Sequence, residues 1–445
     1  MSQFSKDDRF VSWGRVLRAS HQIARPSFRD QLPTMIGDAS HKAGGVLAVG
    51  LGRSYGTSGL NADGALIAAS GLDRLISFDH ETGVLHAEAG TSLEQVLNFA
   101  VPHGWFLPVT PGTKFVTLGG AVANDIHGKN HSNAGTIGRW IRQIGLLRSN
   151  GSQILLTPED DTGLFAATIG GLGLTGMITD VTIQLKEIQS AYFDVETIPF
   201  GHVLEFFALT AESLDTHDHT VAWIDCFAQG EALGRGLFTR ANVAAQGGLA
   251  LASGKGPTIP IDFPEIALNK LSISAFNALY YGVGKTKPRH SVQHFEKLLY
   301  PLDKISQWNR LYGRRGLYQY QSVVPKADAP AATAEMLKVI AKGGQGSFLI
   351  VLKSFGALAS PGMLSFPREG TTLALDFPNR GASTLQILDR LDAIVEEAGG
   401  RLYPAKDGRM PPQFFRATYP RLDEFSKHVD SAFMSTFWRG LGEQA

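Results

Sequence analysis

Apolar and polar positions along this chain alternate or cluster over short spans, the pattern of many small strands. A short apolar run at 45–50, strand-like stretches at 65–69 and 75–78, and alternation over 84–89 after Glu81-Thr82-Gly83 predict strands, the last pair joined as a hairpin. Residues 144–148 and 153–156 flank Ser149-Asn150-Gly151-Ser152, and Asn-Gly is a hairpin signal. Thr91 and Glu94 stand at capping-box spacing and predict a helix through Ala100. Further helices are expected over 21–43, interrupted by Pro26 and Pro33, and from 157–160, where Pro158 suits a first helical turn. A strand is expected over 177–185. Beyond about 187 the strands lengthen (220–227, 347–352, 371–377) between helical patterns at 201–213 and 383–398. Residues 241–289, rich in Gly, Ala and Pro, predict a mobile loop. The sum is an α+β chain.

The 445 residues are 43% hydrophobic and 18% charged, enough for two to three domains with large cores. Lys plus Arg and Asp plus Glu number 41 each, so there is no basic excess to attract nucleic acid, and none is expected as a partner. One cysteine, Cys226, excludes an internal disulfide and a cysteine-based zinc or iron–sulfur site; it reads as a small core residue, and no metal is expected. No run reaches the ~20 apolar residues of a bilayer span, and the first ten residues lack the apolar centre of a signal peptide. A cytoplasmic location is expected, with loose peripheral contact at the inner membrane through 241–289.

The 50 glycines concentrate in three stretches, 50–64, 111–135 and 170–176. Gly171-Leu-Gly-Leu-Thr-Gly176 matches G-x-G-x-x-G, but it follows a helix-like segment and precedes a strand, the reverse of a nicotinamide-binding context. A loop such as Gly50-Leu-Gly-Arg-Ser-Tyr-Gly56 can bind a pyrophosphate through successive N–H groups, while a plain tight turn is an equal reading of it alone. Three such loops, one carrying Asn124, Asp125, His127, Lys129, Asn130 and His131, favour a bound dinucleotide.

GLGRSYG (50–56), PGT (111–113), Gly119-Gly120 and DIHGKNH (125–131) resemble the FAD-binding domain of the vanillyl-alcohol-oxidase (PCMH-type) flavoproteins. With Trp308-Asn309-Arg310, Gln319-Tyr320-Gln321, Asp376-Phe377-Pro378 and Arg401-Leu402-Tyr403-Pro404-Ala405-Lys406-Asp407, the chain more closely resembles the decaprenylphosphoryl-β-D-ribose 2′-oxidase family. DIHGKNH and LYPAKD carry the specificity. The resemblance implies a two-part PCMH-type FAD-binding domain, residues 1–188 completed by 400–445, around an α+β substrate domain at 189–399 built on an antiparallel sheet. Residues implied to hold FAD are Gly52, Arg53, Ser54, Tyr55 and Gly56 in the first loop. Pro111, Gly112, Thr113, Thr117, Gly119 and Gly120 follow in the second, then Asn124, Ile126, His127 and Gly128, with Ile178 and Tyr403 more distant in sequence. Some relatives bond the flavin to a histidine in the first loop. Ser54 and Tyr55 occupy that place here, so FAD is expected without a covalent bond.

The implied chemistry is oxidation of the 2′-hydroxyl of a polyprenyl-phosphate-linked ribose, a hydride leaving for flavin N5 while a base takes the proton. A separate NAD(P)H-dependent keto-sugar reductase would complete epimerisation to an arabinose donor for the cell envelope. Lys406, His127 and Tyr403 are the catalytic candidates. His127, Lys129, Gln319, Gln321, Lys353, Thr372 and Lys406 are the substrate-binding candidates, Gln319 and Gln321 sharing one face if their segment is a strand. Ala374 stands where some members carry a cysteine that covalent inhibitors attack, Thr372 where an asparagine is common and Val221 where a serine is. Two other functions fit the same residues: oxidation of free sugars, alditols or aldonolactones, and flavin binding without turnover.

Overall fold

The computed structural model describes residues 3–40, 44–62, 64–252, 254 and 256–442. It is α+β, with strands in three principal sheets. The first sheet orders Ser5–Asp7, His21–Ala24, Ala65–Ala68 and Val46–Val49, the last three parallel. The second is antiparallel and orders Leu75–Phe78, Val84–Glu88, Met177–Gln184, Ile141–Leu147 and Gln153–Leu156. Both predicted hairpins are present, Gly83 and Gly151 taking the positive φ their turns require.

The third sheet has eight antiparallel strands, in the order His290–His294, Tyr192–Phe200, Gly236–Val243, His219–Ile224, Ile350–Phe355, Gly370–Pro378, Leu317–Val324 and Arg401–Leu402. Its two faces are chemically different, because side chains alternate along a strand. Ile224, Phe238, Tyr320, Leu352, Leu373, Leu375 and Phe377 pack into a core with the helices Val203–Ser213, Ala329–Gly343 and Ala382–Glu397. Their neighbours Trp223, Gln319, Gln321, Val351, Lys353, Ala374 and Asp376 face a cavity instead. Fully burying one such apolar side chain stabilises by about 1.5–3 kcal/mol, so a one-residue slip of register would exchange core for polar wall and is strongly opposed.

Four local expectations are corrected. His21–Ala24 is a strand, because it pairs parallel with Ala65–Ala68 and buries His21, Ile23 and Ala24. The helix that follows is Leu32–Ser40; residues 41–43 lie outside the described residues. The capping box sits one residue later, with Ser92 and Gln95 bonded reciprocally at the start of Leu93–Ala100. Pro158 opens no helix: Asp160 accepts from Phe165 N (2.9 Å) and the helix is Leu164–Thr168. Within 241–289 runs a 17-residue helix, Lys270–Thr286, capped by Asn269; residues 253 and 255 lie outside the described ones.

Candidate active site

A cavity of about 1220 Å³ lies between the glycine loops and the polar face of the eight-stranded sheet. Of the sequence candidates it is lined by Gly52, Arg53, Ser54 and Tyr55, by Pro111, Gly112, Thr113, Thr117 and Gly120, and by Asn124, Ile126, His127, Gly128 and Lys129. From the other side come Gln319, Gln321, Lys353, Tyr403 and Lys406. Four candidates stand behind this wall. A Cβ on Gly56 would collide with the Asp407 carbonyl, and one on Gly119 would press on Ala89 at 2.9 Å. Ile178 is a core residue. Thr372 supports Gln321, whose Nε2 donates to Thr372 Oγ1 at 3.2 Å.

The 125–131 loop is held by its own aspartate. Asp125 has φ 40° and is wholly buried; Oδ1 accepts from Gly138 N (2.9 Å), and Oδ2 accepts from the hydroxyls of Ser360 and Ser365. These bonds offset a left-handed backbone that a non-glycine residue rarely adopts. Asn130 donates to Pro108 O at 2.8 Å, and Thr220 N donates to Lys129 O at 2.9 Å, tying the loop to the large sheet. The far end of the chain reaches the same place: Tyr55 N donates to Ala405 O at 2.9 Å, so LYPAKD lies directly on the first glycine loop.

Electrostatics separate the candidates. Lys406 lies over the Tyr55 ring at 4.2 Å, and burial lowers its pKa to about 8 against the opposing pull of Asp376. Lys353 is lowered to about 7, by burial first and then by Lys129 and Lys406. Lys129 is lowered to about 8 by burial, opposed by Asp303, and its Nζ donates to Leu299 O at 2.9 Å. Three half-buried lysines thus crowd one wall, a place suited to an anion. His127 sits against Phe355, Phe366 and Tyr403; burial holds it neutral, its pKa well below the usual range. With Gln321 Nε2 assigned as donor to His127 Nε2 (3.0 Å), the ring proton falls on Nδ1, which is buried with no partner among the described residues. The ring is thus fixed in one tautomer, with Nδ1 shielded from the cavity.

Tyr403 donates its hydroxyl to Asn124 O at 2.8 Å and stacks on Phe366, while burial pushes the phenol well above its ordinary pKa. It can position the loop; its proton is already engaged. Sequence reasoning missed Asp376, although it lies in a motif that carried the resemblance. Its carboxylate accepts from Gln319 Nε2 (2.8 Å) and Tyr312 OH (3.3 Å), and burial raises it to about 7. Asp303 was missed as well, since nothing in its surroundings forms a motif.

Ala374 faces the cavity, whereas Cys226 is fully buried and burial pushes its thiol up to about 12. Iodoacetamide is therefore expected to leave the native protein unlabelled by intact mass and to alkylate Ala374→Cys, with bound cofactor or substrate slowing the reaction. Equal labelling of both proteins would remove Ala374 from the cavity wall.

The loops fit a flavin dinucleotide on their own evidence: a glycine-lined floor, Gly52 in the left-handed region, open space around Gly112, and a half-buried Arg53 stacked on Trp13 at 4.1 Å. The "FAD binding domain" family model matches residues 20–157, the segment that contributes those loops. A decaprenylphosphoryl-beta-D-ribose oxidase of Mycolicibacterium smegmatis is 37% identical over 97% of this chain and 97% of its own length. An uncharacterized protein of Streptomyces coelicolor is 30% identical over 79% of this chain and all of its own. An L-gulono-1,4-lactone dehydrogenase of Mycobacterium tuberculosis is 28% identical over only 46% of each. Likeness across nearly the whole length, sheet and tail included, separates the first of these from the last: the chain belongs to the decaprenylphosphoryl-β-D-ribose oxidase family and is an FAD-dependent oxidoreductase.

Proposed function

We propose that this enzyme oxidises the 2′-hydroxyl of a polyprenylphosphoryl-β-D-ribose to the 2′-keto sugar. One observation carries the choice of substrate: a single cavity joins the three-lysine wall to an apolar mouth lined by Trp223, Phe276, Tyr280, Phe348 and Leu349. A phosphodiester satisfies Lys129 and Lys353, and a prenyl chain covers the mouth. Free alditols and aldonolactones offer neither.

Bound FAD supplies the two-electron oxidising capacity. Lys406, in its neutral form, accepts the hydroxyl proton. His127, neutral beside Phe355 and Tyr403, shapes the wall next to the sugar, and Gln321 fixes its tautomer. Lys129 and Lys353 bind the phosphate charge; Gln319 holds the Asp376 carboxylate that moderates Lys406. Tyr403 positions the loop. The first glycine loop has neither histidine nor cysteine, which supports FAD held without a covalent bond, and acid precipitation is expected to release all the flavin to the supernatant.

The 400–445 segment completes the FAD-binding domain in this reading, supported by the bonds from Met434 N to Val46 O and from Thr436 N to Leu60 O. A separate NAD(P)H-dependent keto-sugar reductase then converts the product to the arabinose donor, and its need for NAD(P)H favours the cytoplasmic side. Anaerobic reduction of bound flavin across a panel of sugars tests the substrate. Bleaching by polyprenylphosphoryl ribose, and none by free alditols at equal concentration, is expected. Rapid bleaching by alditols with the lipid sugar inert would overturn the assignment.

A further inference from the structure

The Lys270–Thr286 helix carries two apolar stripes where a surface helix needs one. Ile273, Asn277 and Tyr281 anchor it: Asn277 Nδ2 donates to Asp225 Oδ1 at 3.1 Å and Tyr281 OH donates to Phe200 O at 3.0 Å. Beside that stripe Phe276, Leu279, Tyr280 and Val283 follow i, i+3, i+4, i+7 spacing and form a second one. Phe276, Tyr280 and Val283 line the cavity mouth. Leu279 turns outward at 67% exposure, and Leu271 (82%), Ile266 (79%) and Ile261 (69%) extend the exposed apolar surface along the same segment. Single exposed apolar side chains need no explanation, but a run of them bordering a cavity does.

The charges of the helix and of the residues just after it have one sign. Between 270 and 289 stand Lys270, Lys285, Lys287 and Arg289 with no acidic residue. The two preceding acids are already engaged, Asp262 with Arg15 and Glu265 with Arg315. Apolar side chains outward, flanked by lysines and arginine, match the interface of an anionic bilayer, where the apolar face sinks to the headgroup boundary and the cations meet lipid phosphates. No helix among the described residues is long and apolar enough to cross a membrane, so the contact is one of lying on the surface.

We propose that the Lys270–Thr286 helix, with Ile261 and Ile266, docks the enzyme on an anionic membrane leaflet and opens the cavity directly to it. This inference rests on the lipid-linked substrate proposed above. The polyprenyl tail then stays in the leaflet while only the phosphosugar enters, guided by the rim of Phe276, Tyr280 and Val283. The cavity requires no room for the whole lipid, and chain length is read weakly.

Vesicle co-sedimentation of the FAD-loaded enzyme tests the surface. Binding to phosphatidylcholine vesicles that contain phosphatidylglycerol is expected, with weak binding to phosphatidylcholine alone and loss as salt rises. Leu271→Glu with Leu279→Glu should lower partitioning about tenfold or more. Lys270→Ala and Lys285→Ala should each lower it about fivefold. Leu155→Glu, at an exposed leucine of the Gln153–Leu156 strand, should change nothing. All variants should keep their flavin spectrum and oxidise detergent-dispersed substrate at the native rate. Absent vesicle binding, or binding indifferent to Leu271 and Leu279, overturns the proposal. So does a dimer in vesicle-free buffer that Leu279→Glu dissolves, because the face would then serve a second copy. If vesicle binding follows these variants while detergent-dispersed substrate fails to reduce the flavin, the substrate reading falls and the surface stands.

Discussion

Lys406→Ala will keep its bound FAD and lose about 10³-fold in the rate at which polyprenylphosphoryl ribose bleaches it, the middle of the range for removing a general base. In the proposed mechanism that rate rests on Lys406, whose pKa burial has brought down to about 8. The sign follows from the group: an ammonium has no lone pair, so the competent fraction grows as pH rises through about 8 and levels off above it. Single-turnover reduction should therefore climb from pH 6.5 and flatten beyond about 8.5 in the native protein. Lys406→Arg should be slow and flat throughout, because a guanidinium stays protonated. Stopped-flow reduction of the flavin reads both effects without product release intervening. Native-like reduction in Lys406→Ala would assign the proton elsewhere.

The second large effect comes from a position with no side chain. At Gly56 a Cβ would drive into the Asp407 carbonyl, with Gly408 N close behind, and backbone on both sides leaves nothing flexible to yield. Gly56→Ala should cost about 3 kcal/mol of stability, at the upper end of overpacking, and weaken FAD binding as the first loop shifts away from the tail. Gly112→Ala is the matched control for stability alone, since its Cβ would meet no heavy atom of the described residues within 4 Å but would enter the space proposed for the cofactor. Urea unfolding of both apoproteins, followed by flavin titration, measures the two quantities. Equal midpoints would show that the contact between tail and loop carries no weight.

How much of this was legible beforehand depended on the range of the interactions. The hairpin at Ser149-Asn150-Gly151-Ser152 is written into four adjacent residues, and its strands stand where the pattern placed them. Gln319 and Gln321 were expected on one face, and they line the cavity while Tyr320 between them enters the core. His21–Ala24 misled because its strand character comes from Ala65–Ala68, far along the chain. The Lys270–Thr286 helix was hidden by Gly282 and Gly284 and by an exposed apolar stripe that blurs the inside–outside pattern. Within the site, DIHGKNH and LYPAKD announced themselves as motifs. Asp303 did not: its influence on Lys129 exists only once a segment without local signals folds against the second glycine loop.

The bond between Tyr55 and Ala405 has a consequence for biosynthesis. Tyr55 and its glycine neighbours leave the ribosome early, and the residues that seat against them follow only when most of the chain has been made. At about 5–20 residues per second, the nascent chain spends many seconds with the first loop finished and its counterpart missing. If the 400–445 segment completes the cofactor site as proposed above, capture of the yellow cofactor waits for that segment, and a ribosome stalled before residue 400 is expected to hold a colourless chain.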